Sequence, residues 1–409
     1  MFYAYYIFIN RYKNNSTYFS IMNDNIDTNL DIKTINAWDD FELKDDLLRG
    51  IYAYGFENPS EIQKKAILPI LSKRDTIAQA QSGTGKTGAF SISTLQRIDV
   101  TKKELQGLII APTHELAKQI SMVISSIGTS MEGLNIKTMI GGTSVQQDIA
   151  DMNENPPHII VGCAGRIYDM IRRKNINVNT VKLFVLDEAD EMLSGAFKDQ
   201  IYNIFQYFNS NIQVAIFSAT MPEEILTLSN KFMRDPIKIT MKKEELNLEG
   251  IQQYFIAIQN DFYKFEMLKQ LFTMISVNQC IIYCNSVKRV IDLHRAMSDE
   301  GFSVCAIHSS MDKVERDNTF RNFRSGGYRV LISSNITARG IDVQQVATVI
   351  NFDITNCVHT YLHRIGRSGR WGRKGVAINF ITKRDIGYMR NIEEHYKISI
   401  NELPKDFQI

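Results

Sequence analysis

Two short segments carry residue types that together could manage a triphosphate. The first is Ala80-Gln81-Ser82-Gly83-Thr84-Gly85-Lys86-Thr87. Its closely spaced glycines let backbone amides curl around phosphate oxygens at the start of a helix. Lys86 then brings a positive charge to the β and γ phosphates, and the Thr87 hydroxyl reaches a magnesium ion. The second is Leu183-Phe184-Val185-Leu186 followed by Asp187-Glu188-Ala189-Asp190. A buried strand ending at Leu186 would hold the Asp187 carboxylate at the sheet edge to engage the magnesium shell, with Glu188 placed to orient and deprotonate an attacking water. Each segment alone has a plain structural reading, as a strand-to-helix turn or as solvated residues on a helix end. Their pairing predicts hydrolysis of ATP with Mg2+.

The elements that must position these groups are legible as alternation. Between Ile62 and Thr240, short apolar runs alternate with helix-period segments: Thr76-Ile77-Ala78, Leu108-Ile109-Ile110, His158-Ile159-Ile160-Val161, Leu183-Phe184-Val185-Leu186 and Val214-Ala215-Ile216-Phe217. That pattern predicts a parallel sheet wrapped by helices. Polar or glycine-containing clusters follow most of these runs: Ala111-Pro112-Thr113, Cys163-Ala164-Gly165-Arg166, Asp187-Glu188 and Ser218-Ala219-Thr220. Ligands of open α/β sheets sit at the carboxyl ends of strands, so these clusters are expected to line one crevice. The charged stretch 241–250, ending in Gly250, reads as a linker. After it the alternation restarts at Cys280-Ile281-Ile282-Tyr283-Cys284 and continues through Val304-Cys305-Ala306-Ile307, Arg329-Val330-Leu331-Ile332, Val346-Ala347-Thr348-Val349-Ile350 and Val376-Ala377-Ile378-Asn379-Phe380. This second α/β unit has no phosphate loop of its own. It does have His363-Arg364-Ile365-Gly366-Arg367-Ser368-Gly369-Arg370, several guanidiniums in one glycine-spaced run. A unit with arginines and no site, beside one with a site, is expected to complete that site across a cleft. The expected division is an extension over 1–35, disordered; an ATP-binding domain over 36–240; a linker over 241–250; and a second domain over 251–409.

Composition bounds the rest. With 409 residues, 44% of them hydrophobic, the chain can bury two cores. A net charge of +2 supplies no bulk positive field, so any grip on nucleic acid must come from local placement of side chains and amides. The cysteines Cys163, Cys280, Cys284, Cys305 and Cys357 fit no zinc or disulfide spacing and are expected to be reduced. No apolar run approaches the roughly 18 residues of a membrane span. The aromatic start Phe2-Tyr3-Ala4-Tyr5-Tyr6-Ile7-Phe8-Ile9 lacks the flanks of a secretory signal.

From about Trp38 onward the chain resembles the DEAD-box RNA helicases, and within them the initiation factor 4A group, whose exon-junction member is a further relative. The resemblance implies two RecA-like parallel-sheet domains in tandem, an α/β fold. The segment from Leu47 to Gln63 is similar to the family's adenine-reading motif, which implies that Phe56 stacks on the base and Gln63 bonds its edge, with Trp38 as the upstream aromatic. It makes Ser218-Ala219-Thr220 the coupling motif, with Asp190 and His363 also in coupling. Asp342 would hold the ribose, and Arg367 and Arg370 would stabilise the γ-phosphate. RNA contacts are implied at Pro112, Thr113, Gly142, Gly165, Arg166, Arg316, Thr337 and Gly340, holding single-stranded or short duplex RNA through phosphates and 2′-hydroxyls without regard to sequence. The implied protein is a monomer of the cytoplasm, with the nucleus left open, off the membrane, and working with a 4G-type scaffold.

The departures from the family pattern cluster away from the ATP motifs. His114 stands where the family has Arg, Cys163-Ala164 where it has Thr-Pro, Lys313 where it has Gln, and Ser334-Asn335 where initiation factor 4A has Thr-Asp. They imply ordinary nucleotide chemistry with altered RNA handling. Two functional readings follow: a helicase that opens short duplexes locally, and an ATP-locked RNA clamp that scaffolds ribonucleoprotein. A phosphate-loop enzyme acting on small molecules would need neither Arg367 nor Arg370.

Overall fold

Why the apolar runs become strands is plain from their burial. Ile159–Gly162, Leu183–Leu186, Gln213–Ser218 and Cys280–Tyr283 are buried along their whole length, as strands covered on both faces by helices must be. In the computed structural model, which describes residues 35–81, 83–193, 197–229, 231–240, 251–274, 279–335, 346–368, 375–404 and 407, these runs assemble into two sheets. The segments 1–34 and 241–250 lie outside the described residues.

The strands of the first sheet are β1 (Thr76–Gln79), β2 (Gly107–Ile110), β3 (Ile136–Met139), β4 (Ile159–Gly162), β5 (Leu183–Leu186), β6 (Gln213–Ser218) and β7 (Ile237–Thr240). They lie side by side in the order β3-β4-β2-β5-β6-β1-β7, every pairing parallel. The second sheet takes β8 (Ile251–Ala257), β9 (Cys280–Tyr283), β10 (Val304–Ile307), β11 (Val330–Ser333), β12 (Thr348–Asn351), β13 (Gly375–Ile381) and β14 (Asn401–Glu402). Its order is β10-β11-β9-β12-β13-β8-β14, again parallel throughout. Two parallel α/β sheets in tandem are the expected fold class, and residues 36–409 form one compact unit.

Each sheet is buttressed by its own core. Phe184, Leu186, Ile160, Ile216 and Met192 meet in the first, and Ile282, Leu268, Ile332, Ile350 and Phe380 in the second. Fully burying one such side chain contributes about 1.5–3 kcal/mol, so a core of this size holds each sheet without cross-links. The described residues contain no helix long and apolar enough to cross a membrane, and all five cysteines are free thiols.

Side-chain caps set where the site's helices begin. Thr113 accepts from the Leu116 amide at the start of His114–Ile127, and Asp312 from the Glu315 amide at the start of Lys313–Arg324. At the start of Glu61–Leu71 the Gln63 side chain accepts from the Ser60 amide.

Candidate active site at the cleft between the two sheets

Gly83 and Gly85 adopt φ of 84° and 105°, left-handed values that glycine tolerates. They turn the chain out of β1 and into the helix Lys86–Arg97, whose N-cap is Gly85. Lys86 is buried, and its Nζ donates to the Ala80 carbonyl at 2.8 Å. The Thr84 hydroxyl donates to the Gln81 carbonyl at 2.7 Å, which tightens the same turn. Thr87 lies half-buried in the first turn of that helix.

Behind the loop stands a polar and aromatic wall. Gln63 Oε1 accepts from the Ser60 amide at 2.7 Å, and Gln63 Nε2 donates to the Gly85 carbonyl at 3.2 Å. A Cβ built on Gly88 would sit 2.5 Å from Gln63 Nε2 and 2.9 Å from Phe56 Cε2, so a glycine is needed there for the wall to close on the helix. Phe56 is half-buried, with the Tyr54 ring edge-on at 4.8 Å and the Trp38 ring stacked at 6.1 Å. Trp38 is wholly buried and donates its indole N–H to the Phe56 carbonyl at 3.0 Å, so it braces Phe56 from behind.

At the end of β5, Asp187 and Glu188 are both buried, and Asp187 Oδ1 accepts from the Glu188 amide at 2.9 Å. Glu188 sits at φ 50°, a left-handed value for a residue with a side chain, which is strain of the kind stored at working sites. Burial first, and then the neighbouring Glu188 carboxylate, push the Asp187 carboxyl up to about 7. Burial works the same way on Glu188, yet Lys86, His363 and Arg367 outweigh it and hold its carboxyl below the ordinary range. The Oε2 atom of Glu188 is buried without a hydrogen-bond partner among the described residues.

Ser218 joins these pieces. Its carbonyl accepts from the Ala80 amide at 3.0 Å, tying the phosphate loop to the end of β6. Its Oγ accepts from the amides of Asp190 and Thr220 at 3.3 and 3.4 Å. The Thr220 hydroxyl donates to Asp190 Oδ2 at 2.7 Å, and His363 Nε2 reaches the same oxygen at 2.9 Å. That histidine belongs to the helix Val358–Ile365 beside the second sheet, so one carboxylate oxygen is shared between the two halves of the molecule. Arg367 follows on the same side; it is buried and donates Nε–H to the His363 carbonyl at 3.1 Å. Glu188, Asp190 and His363 offer ligand atoms within 4.8 Å of one another, but His363 and Asp190 already spend theirs on each other.

On the second flank of the cleft, Thr113 and Pro112 begin the helix His114–Ile127. The His114 ring packs against Gly141, and Gly142 turns at φ 78° beside it. Arg166 donates to the Thr143 hydroxyl and carbonyl at 2.8 and 2.7 Å and pairs with Asp148, while Gly165 is exposed. Arg316 forms an ion pair with Glu115 at 2.7 Å, a contact of charges whose angles fall short of a hydrogen bond, and Lys118 pairs with Asp317 next to it. Ser82, Thr337, Gly340, Asp342 and Arg370, together with the Lys313 side chain, lie outside the described residues. The sequence had no signal for Asp148, Tyr54 or the Lys118–Asp317 pair, because each acts through a neighbour distant in the chain or through a common residue type.

Residues 60–228 match the family model described as DEAD/DEAH box helicase, and residues 263–372 the model described as helicase conserved C-terminal domain. The chain is 51% identical to Eukaryotic initiation factor 4A of Caenorhabditis elegans, over 91% of this chain and 92% of that protein. It is 50% identical to the ATP-dependent RNA helicase eIF4A of Schizosaccharomyces pombe, over 93% and 95%. Among solved structures it is similar to S. cerevisiae Dbp5 bound to RNA and ADP BeF3, at a TM-score of 0.84, 33% identity and coverage of 90% and 96% of the two chains.

Proposed function

Because this chain belongs to the DEAD-box helicases, an ATP-hydrolysing family of RNA helicases, we propose that its cleft couples ATP hydrolysis to a local grip on RNA that opens short duplexes. The initiation factor 4A names of its relatives support a role in translation initiation. The observation that carries the coupling is Asp190 Oδ2, held by Thr220 at 2.7 Å within the first half and by His363 of the second at 2.9 Å. Closure thereby anchors on a carboxylate two residues from Glu188.

Phe56 and Gln63 take the adenine, one by its face and one by amide donor and acceptor, with Trp38 and Tyr54 fixing the Phe56 ring. Lys86 exchanges its bond to the Ala80 carbonyl for the β and γ phosphates, and the amides of Gly83, Thr84 and Gly85 turn toward them. Glu188, kept ionised by Lys86, His363 and Arg367, orients the water and takes its proton. Arg367, with Arg370, stabilises charge developing on the γ-phosphate, a contribution of about 10³–10⁵ in rate in comparable enzymes. Magnesium would fit the carboxylate end of β5, where Asp187 and the orphaned Glu188 oxygen feel the charge of Lys86, the residue before Thr87, and it would neutralise phosphate charge there. Asp342 would hold the ribose.

RNA contact is assigned to Pro112, Thr113, Gly142, Gly165, Arg166, Arg316, Thr337 and Gly340. Arg166 is held by Thr143 and Asp148, which aims the loop carrying Gly142. We read the protein as a cytoplasmic monomer working with a 4G-type scaffold. Strand displacement from a short RNA duplex is the test. ATP-dependent displacement that is lost in Lys86→Ala supports the reading. ATP-dependent retention of single strands without displacement would show an RNA clamp instead.

A further inference from the structure

The residue next to His363 is unusual in its surroundings. Arg364 is wholly buried, yet among the described residues no carboxylate bonds its guanidinium. Its Nε–H and one NH2 proton go to Asn335 Oδ1 at 2.9 and 2.6 Å. Another NH2 proton goes to Asn285 Oδ1 at 2.7 Å. The NH1 group donates to Asn351 Oδ1 at 3.1 Å and to the Asp353 carbonyl at 2.7 Å. Those bonds use all of the donors a guanidinium has, on acceptors that are all neutral. The plane lies 5.2 Å from the centre of the Tyr283 ring. The nearby Asp353 carboxylate is engaged elsewhere, by Lys264 at 3.0 Å and Arg289 at 3.2 Å.

The clamp has a direction. Asn351 passes its own amide to Asn379 at 2.8 Å, and Asn379 contacts Tyr361 at 3.3 Å and the Tyr254 carbonyl at 2.9 Å. Tyr361 donates to Gln253 at 2.8 Å. Arg364 and Tyr361 thus fasten two turns of the helix Val358–Ile365 to the carboxyl ends of β9, β12 and β13. Neighbouring positions on a helix point about 100° apart. Fixing the Arg364 direction therefore fixes where His363 points, and Arg367, in the turn just past the helix, is tied to it because its amide donates to the Arg364 carbonyl at 3.2 Å. Asn335 sits just past β11, at the head of the segment that carries Thr337, Gly340 and Asp342.

We propose that Arg364 is a positioning residue: its clamp on Asn335, Asn285 and Asn351 sets the rotation of the helix that presents His363 and leads into Arg367, and ties that helix to Asn335 at the end of β11. The inference rests on the proposed roles of His363 and Arg367. It also accounts for Asn335, the departure from the family pattern with no evident purpose in the sequence: an amide oxygen suffices as a double acceptor for a guanidinium already satisfied elsewhere.

The experiment is RNA-stimulated ATP hydrolysis by the full chain carrying Asn335→Ala, Asn335→Asp or Asn285→Ala. Asn335 and Asn285 are exposed, so their truncation spares the core, and thermal melts monitored by circular dichroism check folding. Asn335→Ala is expected to lower kcat at least tenfold, with the KM for ATP changed less than about twofold, and to raise the RNA concentration for half-stimulation. Asn335→Asp, which keeps the double acceptor, restores both. Asn285→Ala lowers kcat severalfold and leaves RNA half-stimulation alone. Unchanged kcat in Asn335→Ala and Asn285→Ala, or an Asn335→Asp variant as impaired as the alanine, overturns the inference. A parent protein whose hydrolysis ignores RNA overturns the underlying reading instead.

Discussion

Removing one carboxylate on the RNA flank should loosen the whole cleft. Glu115 and Arg316 lie 2.7 Å apart with side chains only 9% and 12% exposed, while Lys118 and Asp317 beside them are 36% and 23% exposed. Exposed ion pairs contribute roughly 0.2–1 kcal/mol, and breaking a fully buried one costs about 3–5. The Glu115–Arg316 contact lies between these limits and lacks hydrogen-bond alignment, which argues for about 1–2 kcal/mol. At roughly 1.4 kcal/mol per decade, that is a shift of about 5- to 30-fold in the closed population. Glu115→Ala is therefore expected to raise the RNA concentration for half-stimulation of ATP hydrolysis by about tenfold, and Lys118→Ala by about twofold. Because Arg316 is also assigned to RNA, a single variant cannot separate the two roles. The Glu115→Ala, Arg316→Ala and double variants form a cycle that does, read by fluorescence anisotropy of labelled single-stranded RNA with a nonhydrolysable ATP analogue. The pair predicts a coupling of about 1–2 kcal/mol, so the double variant is hardly worse than Arg316→Ala. Losses that add within about 0.3 kcal/mol, or RNA bound more tightly by Glu115→Ala, would refute the reasoning.

Three further outcomes follow from the site. Gly88→Ala puts a Cβ 2.5 Å from Gln63 Nε2 and 2.9 Å from Phe56, so the adenine wall must move; the KM for ATP rises about tenfold while nucleotide-free RNA binding is unchanged. Asp187 holds its proton up to about 7 in the folded, ligand-free protein but only to about 3.8 when unfolded, so the fold loses stability as pH rises from about 4 to 7. Asp187→Asn, which removes that titration, melts near the parent's temperature at pH 4 and well above it at pH 8; equal differences at the two pH values would sink the assignment. His114→Arg supplies a permanent cation beside Gly141, so single-stranded RNA binds more tightly and its log–log salt slope steepens by roughly 0.7, as read in a salt titration.

How much of this was legible depended on burial and distance in sequence. The central strands could be read because they are buried on both faces and appear as continuous apolar runs: β2 is Gly-Leu-Ile-Ile and β9 is Cys-Ile-Ile-Tyr. The strands β3, β7, β8 and β14 were not legible in this way. Ile136-Lys137-Thr138-Met139 and Ile237-Lys238-Ile239-Thr240 border solvent at the ends of their sheet, and their alternating polarity resembles that of any loop or helix end. The phosphate loop and the Asp-Glu-Ala-Asp run could be read because their chemistry needs fixed residue types at fixed short spacing. The clamp on Arg364 could not, because Asn285, Asn335 and Asn351 are common residues brought together only by the parallel register of β9, β11 and β12. Trp38, the motif's upstream aromatic, has its ring buried behind Phe56, a placement that its residue type alone does not specify.

The central claim is that hydrolysis at Glu188 is gated by the second half of the molecule when RNA is held. Steady-state ATP hydrolysis by the purified protein, with and without single-stranded RNA, alongside Glu188→Gln and His363→Ala, tests it most directly. The account predicts stimulation by RNA of severalfold or more in the parent, none in Glu188→Gln, and a His363→Ala enzyme that binds ATP normally yet no longer responds to RNA. Hydrolysis that is indifferent to RNA, or a His363→Ala enzyme stimulated as strongly as the parent, would contradict it.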